Sequence, residues 1–404
     1  MSAASVSATL STSRRDSARR WVQVASHVDS RFGGIATSLP QLCASTAGNH
    51  EFTIAAFCEP GERKPATYTD RCNVIQLPRG RTRWSFDKAL QNRLREVIRH
   101  ADGLHIHGIW EEHCAVAASM AHVLDTPYLI SAHGMLEDWA FRDKGLKKRV
   151  YSALVEAKNL RRAVCLRALT TAEVADYRRL GLRNPVAVIP NGVAEPPAST
   201  PAAFLDKFPA LAGKRRALYL GRFHHKKGLD SLCLAWSRVC GRHRDAHLVL
   251  AGDNTNAEGD RILGMVRELG LDGSVTFTGM LRGDLKWSAL AAASVFVLPS
   301  LSEGFSMAVL EALAAGVPPI ITRACNFPEV EEQSCGWVID PGDQQLEAAL
   351  RTALSAPASA LQEMAARGRD MVRARYSWES VGVQMGQIYN WILGGSVPDC
   401  VEVY

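Results

Sequence analysis

The run LPSLSEGFSMAVLEALAAGVP, residues 298–318, reads as a strand that ends at Pro299, a polar turn, and a helix. The turn holds Glu303 and Gly304. The helix is expected from about Ser306 to Ala315, with Gly316 as its C-cap and Pro318 beyond. Backbone N–H groups of Phe305, Ser306 and Met307 would lack intrahelical partners, and together with the positive end of the helix they offer a site for a diphosphate. Gly304 would let a ligand approach the backbone closely. Glu303 and Glu311 stand eight residues apart with the apolar Met307, Val309 and Leu310 between them. Two such acceptors can hydrogen-bond hydroxyls at separated points along one extended ligand. Either acid alone also reads as an ordinary residue, Glu303 as a helix-start acid and Glu311 as a solvated helical position.

The same strand, turn and helix rhythm extends in both directions. In the second half the short apolar runs are RALYLGRF (216–223), HLVLAGD (247–253), VTFTGM (275–280), SVFVLPS (294–300), VPPIITR (317–323) and GWVID (336–340). In the first half they are WVQVAS (21–26), FTIAAF (52–57), GLHIHGIW (103–110), PYLISAHG (127–134), ALTTAE (168–173) and VAVIPNG (186–192). Runs this short, rich in Val, Ile and aromatics and separated by helical patterns such as FDKALQNRLREVIRHA and KKRVYSALVEAKNLRRA, predict βαβ units on parallel sheets. Punctuation at Pro190, Pro196, Pro197 and Pro201 marks a linker.

The expected fold class is therefore α/β, with two doubly wound Rossmann-like domains facing each other across a cleft. One spans residues 21–195 and the other 196–376. The length of 404 residues suits two domains. The amphipathic run YSWESVGVQMGQIYNWIL places Trp378, Val381, Met385, Ile388 and Trp391 at helical spacing. In open α/β sheets ligands bind beyond the carboxyl ends of the strands, so residues just after each run are the candidates.

A composition of 47% hydrophobic and 22% charged residues is that of a globular chain and excludes a fibrous or disordered one. The net charge of +6 is concentrated in residues 1–200, which hold 27 Lys and Arg against 19 Asp and Glu. That half is suited to an anionic partner such as a lipid surface or a phosphorylated substrate. Nucleic acid is the poorer fit, because no basic run is interleaved with aromatics. The 10 cysteines form no C-x-x-C pair and no zinc spacing, which predicts reduced thiols, no metal site and a cytoplasmic setting. No stretch reaches the ~20 apolar residues of a membrane span. Residues 1–20 are Ser/Ala/Arg-rich and are expected to be a disordered leader, although a transit peptide has the same composition.

Four further constellations carry chemistry. In LYLGRFHHKKGLDSL, Arg222 and Lys227 follow a strand directly, where two cations can neutralise a leaving diphosphate. Lys226 is adjacent and competes for the second role. In SHVDSRFGGIATSLPQL, Gly33 and Gly34 sit at a strand-to-helix turn that lets N–H groups approach phosphate, without the G-x-G-x-x-G of a dinucleotide fingerprint. His107 and His133 each stand at a strand end before a glycine, which places them on the cleft rim. Glu173 and Asn191 stand at cleft-side strand ends, within reach of a ligand. The basic helix expected between Lys144 and Arg162 reads equally as a membrane-surface face or a solvated one.

Taken together, these runs resemble the retaining GT-B glycosyltransferases of family 4, also called glycosyltransferase group 1, over nearly the whole chain from Trp21 to about Leu393. Glu303 and Glu311 match the family's E-x7-E signature, and G-R-x4-K-G from Gly221 to Gly228 is similar to its diphosphate clamp. The stretch HGMLEDWA looks like that of bacterial polysaccharide-assembly members, where the matching histidine lies beside the donor sugar. The resemblance implies that Glu303 contacts the donor sugar and Glu311 the ribose. Arg222 and Lys227 would take the diphosphate without a metal or other cofactor, and backbone groups near Met280 and Leu281 would hold the nucleobase. The Gly33–Gly34 loop would close over donor and acceptor. It also implies that the last helix, 377–394, crosses back to complete the first domain.

The expected activity is metal-independent transfer of a hexose-type sugar from a UDP- or GDP-sugar to a glycan or lipid-linked acceptor in surface polysaccharide synthesis. It would run with retention and without an enzymic nucleophile, in the cytoplasm or peripherally on the inner membrane face. A nucleotide-sugar epimerase of the same fold, and a catalytically silent sugar-nucleotide or membrane-binding module, are the alternatives.

Overall fold

The computed structural model describes residues 18–28, 34–46, 48–57, 72–78, 87–136 and 155–403. The leader expected over residues 1–20 falls almost wholly outside them. So do Gly33 and most of the basic helix expected between Lys144 and Arg162, of which Ala157–Arg162 is helical.

Two sheets organise the chain. The first contains β1 (Arg19–His27), β2 (His50–Phe57), β3 (Cys72–Gln76), β4 (Gly103–His107), β5 (Tyr128–Ser131), β6 (Cys165–Ala168) and β7 (Val186–Val188), in the order β7-β6-β5-β4-β1-β2-β3, all parallel. The second contains β8 (Arg215–Leu220), β9 (Ala246–Ala251), β10 (Val275–Gly279), β11 (Val295–Leu298), β12 (Pro319–Thr322) and β13 (Trp337–Ile339), in the order β10-β9-β8-β11-β12-β13, again parallel. Near the end of the chain β14 (Val401–Glu402) pairs antiparallel with β7. Strands such as β5, β9, β11 and β12 are buried along their whole length, which is why they read as unbroken apolar runs and not as alternation.

This order fixes where ligands can enter. In the first sheet the chain winds outward from β1 to β3, then returns to β4 on the other side of β1. The second sheet does the same about β8 and β11. The crevices beyond β1/β4 and β8/β11 are thus the two topological switch points, the positions where open α/β sheets bind ligands.

Three sequence expectations need correction. ALTTAE is not a strand: β6 ends at Ala168 and a helix runs over Thr171–Arg179. Thr170 caps that helix, its hydroxyl accepting from the Glu173 amide at 3.3 Å, and T-x-x-E is a helix-start pattern that outweighs the strand propensity of threonine. Two strands have no counterpart among the predicted runs, β3 because it is a polar edge strand (CNVIQ) and β14 because it is two residues long.

The long C-terminal helix Trp378–Ile392 buries Val381, Met385, Ile388 and Tyr389 in a cluster with Trp21, Leu39, Ile54 and Phe52 of the first sheet's layer. Trp21 and Tyr389 have ring centroids 4.2 Å apart. The chain therefore passes between the sheets twice, and the two passages are tied where the Val193 amide donates to the Tyr376 carbonyl at 2.8 Å. Beneath the first passage lies Arg167, a fully buried guanidinium on β6. It donates to the carbonyls of Ile189 (3.0 Å) and Pro190 (2.7 Å) and to Asn191 Oδ1 (3.2 Å).

Candidate active site

At the β8/β11 switch point the turn after β8 tightens into a short 3-10 helix, His225–Lys227, and then Gly228 with φ 66°. It packs on the turn after β11, where the Leu301 amide donates to the Lys226 carbonyl at 2.7 Å. This brings Lys227 Nζ onto Glu303 Oε1 as an ion pair. Ser300 Oγ, itself buried, donates to the same carboxylate oxygen at 2.6 Å. The Glu303 backbone is clamped as well, its amide donating to Ala324 O (3.0 Å) and its carbonyl accepting from Asn326 Nδ2 (2.6 Å). Of the two candidate lysines, then, Lys227 is the one that meets Glu303. Arg222 stands exposed two residues beyond Leu220, the last residue of the switch-point strand β8.

The helix that follows runs over Met307–Ala314, with Ser306 as N-cap and Ala315 as C-cap. The Ser306 hydroxyl makes no capping bond, so the first turn is left for another acceptor. Phe305 packs its ring against both Phe327 and Tyr376, with centroids at 5.5 and 6.2 Å, in a three-ring cluster. Glu311 is paired with Lys286 at 2.7 Å, the lysine lying on the helix Gly283–Ala292 that follows β10. Sequence reasoning passed over Lys286. Its signal lies in FTGMLRGDLKWSAL, which places a cation on the first turns of the helix beside the backbone that the resemblance assigns to the nucleobase. In that run Met280 is about half exposed (48%) and Leu281 is buried (7%).

Across the cleft the turn after β5 carries His133 and Gly134, both in the left-handed region at φ 54° and 72°. A histidine held there costs about 1 kcal/mol or more and needs support from its surroundings. Glu173 supplies it. One carboxylate oxygen accepts from the Gly134 amide (2.8 Å) and the other from the Leu169 amide (2.7 Å). This turn touches the Glu303 turn directly: a Cβ added to Gly304 would lie 2.9 Å from Gly134 Cα and 3.3 Å from the His133 carbonyl oxygen. The two domains' loops meet here because residue 304 has no side chain.

Three placements differ from the sequence expectation. His107 is buried (1%), not on the rim: it is the last residue of β4, as its glycine suggests, but its ring is held inward between Gln23 of the adjacent strand β1 and His133. Glu173 is buried on a helix, with both carboxylate oxygens committed to backbone, so it holds the His133 turn instead of facing a ligand. Asn191 is likewise buried against Arg167. Gly34 opens the helix Gly34–Ser45 at the β1/β4 switch point.

Burial raises the Glu173 pKa to about 7, against the lowering effect of the two amides and of Arg167. A carboxyl whose folded pKa is raised contributes stability that is fully present below its ordinary pKa of 4.5 and lost as pH rises through about 7. Glu173→Gln removes this titration. The stability of the wild type relative to Glu173→Gln should therefore fall by on the order of 3 kcal/mol between pH 4.5 and pH 8, read from urea midpoints. A constant difference would contradict the assignment.

With this geometry in view, residues 204–371 match the family described as glycosyl transferases group 1, and residues 33–192 match the glycosyl transferase 4-like domain. The chain belongs to the GT-B glycosyltransferases of family 4. Among its relatives, the GDP-mannose:cellobiosyl-diphosphopolyprenol alpha-mannosyltransferase of Komagataeibacter xylinus is 29% identical over 192 residues, covering 46% of this chain and 47% of that one. The match thus spans about half the length of such a relative. Among solved structures, the sucrose-phosphate synthase from Thermosynechococcus elongatus superposes with a TM-score of 0.75 at 21% identity, over 94% of this chain and 100% of that one. Anabaena Alr3699/HepE in complex with UDP and glucose superposes with a TM-score of 0.73 at 15% identity, over 92% and 100%. At these identities the two structures speak to the fold, and both are consistent with the paired parallel sheets of this glycosyltransferase.

Proposed function

We propose that this glycosyltransferase moves a hexose-type sugar from a UDP- or GDP-sugar to a glycan or lipid-linked acceptor, with retention of configuration. The observation that carries the reading is the Lys227–Glu303 pair at the second switch point, set directly against the His133–Gly134 turn of the other domain. The donor diphosphate would take the open first turn of the helix Met307–Ala314, flanked by Lys227 and Arg222. Glu303 and His133 would hold the sugar, and Glu311 the ribose. The bond from the anomeric carbon to the diphosphate oxygen breaks as the acceptor oxygen bonds on the same face, and the acceptor's proton passes to the departing diphosphate. The cations stabilise charge that grows on the leaving group, so their effect falls on the rate more than on binding.

A lipid-linked acceptor and a role in surface polysaccharide assembly are supported by the named acceptor of the mannosyltransferase relative, a cellobiosyl-diphosphopolyprenol. The basic balance of the first half supports work at the cytoplasmic face of a membrane. Among the described residues no helix is long and apolar enough to cross a membrane.

The test is release of nucleoside diphosphate from a panel of UDP- and GDP-sugars, with and without acceptor. Folded protein that binds and turns over none of them would sink the proposal, and conversion of donor without acceptor would favour an epimerase. Glu311→Ala should lower kcat/KM by about 10². Lys286→Ala, which removes only a partly exposed counter-ion, should change the donor KM by no more than about fivefold. Equal losses would mean that the ion pair, and not the ligand, is what Glu311 serves.

A further inference from the structure

Behind His133 lies a continuous line of buried polar groups that reaches the C-terminal helix. Ser131 Oγ is 2.8 Å from His105 Nε2, and His105 Nδ1 is 2.9 Å from the Tyr389 hydroxyl. Gln23 Nε2 donates to that hydroxyl at 3.0 Å. Gln23 Oε1 lies 2.7 Å from His107 Nε2, and His107 Nδ1 lies 3.2 Å from His133 Nε2. Gln23, His105, His107, Ser131 and Tyr389 are all at most 1% exposed.

The proton on each group follows from its neighbour. A carbonyl oxygen only accepts, so Gln23 Oε1 requires a proton on His107 Nε2. Burial, with Arg167 nearby, keeps His107 and His133 neutral, the latter with its pKa pushed down to about 3. A neutral imidazole carries one proton, which leaves His107 Nδ1 as an acceptor. The bond to His133 must then be donated by His133 Nε2–H, and His133 Nδ1 is left bare. At the other end Tyr389 accepts from Gln23 and gives its proton to His105 Nδ1, so His105 Nε2–H donates to Ser131. Every bond in the line is satisfied in this one direction, and reversing it requires the Gln23 amide to turn over.

We infer that Gln23, acting through His107 and anchored by Tyr389, is a positioning residue that fixes His133 as the Nε2–H tautomer and so presents its Nδ1 as an acceptor to a hydroxyl of the bound sugar. This rests on the proposed function for its consequence, though not for its observation. An acceptor directed at a sugar hydroxyl polarises that hydroxyl toward the ring and favours a transition state in which the ring gains positive charge. An N–H in the same place would oppose it. It also gives the returning C-terminal helix a chemical role, because Tyr389 supplies one of the two groups that orient the amide.

The test is spectroscopic first. In protein labelled with 15N-histidine, protonated and bare ring nitrogens resonate apart, and His133→Asn identifies the His133 pair by its loss. The wild type should show a protonated Nε2 and a bare Nδ1 at His133. Gln23→Leu removes the acceptor that sets His107, and should move proton density to His133 Nδ1 and lower kcat about tenfold with the donor KM changed less than about threefold. Tyr389→Phe, which keeps the ring packed against Trp21, should shift the same resonances in the same direction and serves if Gln23→Leu does not fold. A wild-type His133 protonated at Nδ1, or His133 resonances unchanged in a folded variant, overturns the inference. Absence of donor turnover by the wild type would overturn the proposed function, while the tautomer measurement still decides whether Gln23 sets His133.

Discussion

Lys227→Ala is expected to lower kcat for donor cleavage by about 10² to 10³ while changing the donor KM little. In the structure Lys227 Nζ rests on the Glu303 carboxylate, with Ser300 donating to the same oxygen. Both side chains are mostly shielded from solvent, at 19% and 11% exposure, so the charges act in a medium of reduced polarity. With a nucleotide sugar in place, the same ammonium lies where it can meet the diphosphate. The ground-state donor carries its charge spread over two phosphates, and the departing diphosphate gains a further negative charge as the glycosidic bond breaks. An ammonium in a fixed position interacts with that gain more strongly than with the ground state, and such an interaction appears in kcat. Alanine also leaves Glu303 without its cation, with Ser300 as the side-chain donor that remains at Oε1. Lys227→Arg should restore little, because a planar fork cannot reproduce the contact of a compact ammonium with the one Glu303 oxygen that it shares with Ser300. Nucleoside diphosphate release measured over a range of donor concentrations separates kcat from KM, and a thermal melt checks that the variant is folded. A kcat within about threefold of wild type would remove Lys227 from the chemistry and leave the pair as a structural bridge.

Much of this corner was legible from residue order because it is built from local rules. A strand that ends in a proline, a glycine in the turn, and an apolar helix closed by Gly316 are read within about twenty residues, and Glu303 and Glu311 are placed by that frame alone. The partners of those acids were harder to read. Lys227 is 76 residues from Glu303 and Lys286 is 25 from Glu311, and only the strand order β8-β11 decides that the first pair meets. Long-range contact also explains His107 and Glu173. Each has the local look of a cleft residue, a polar side chain just after a short apolar run, beside Gly108 for His107 and in the TTAE segment for Glu173. Their burial is imposed from outside the segment, by Gln23 on β1 for His107 and by the Gly134 turn for Glu173. Local sequence reports what a backbone can do at a position, and not which distant group will occupy the space in front of it.

Gly228→Ala tests whether the corner works as one geometric unit, and it should be more damaging than the loss of any surface charge. Residue 228 has φ 66°, where an alanine pays about 1 kcal/mol more than glycine. The larger cost is steric. A Cβ there would lie 2.1 Å from the carbonyl oxygen of Pro299 and 3.1 Å from its carbonyl carbon. That atom belongs to backbone at the end of the fully buried strand β11 and cannot swing aside as a side-chain tip would. The two turns must separate by roughly 1 Å to reach ordinary contact, which is enough to break the Lys226–Leu301 hydrogen bond and carry Lys227 off Glu303. The expected result is a loss of about 3 kcal/mol in stability of the second domain, together with a fall in kcat of at least about 10², since a displacement of this size at a reacting centre has that effect. Gly304→Ala makes the informative contrast. Its Cβ would meet the other domain at 2.9 Å from Gly134 Cα, so it obstructs the approach of two loops without straining either sheet. It should leave the melting temperature within a few degrees of wild type and lower kcat/KM by weakening closure on the donor. If Gly228→Ala proved as stable and as active as wild type, the contact between the β8 and β11 turns could not be what aligns Lys227 with Glu303. If the two variants lost stability equally, the interdomain contact would have to be counted as part of the core that holds the domains together, not as a surface that opens and closes.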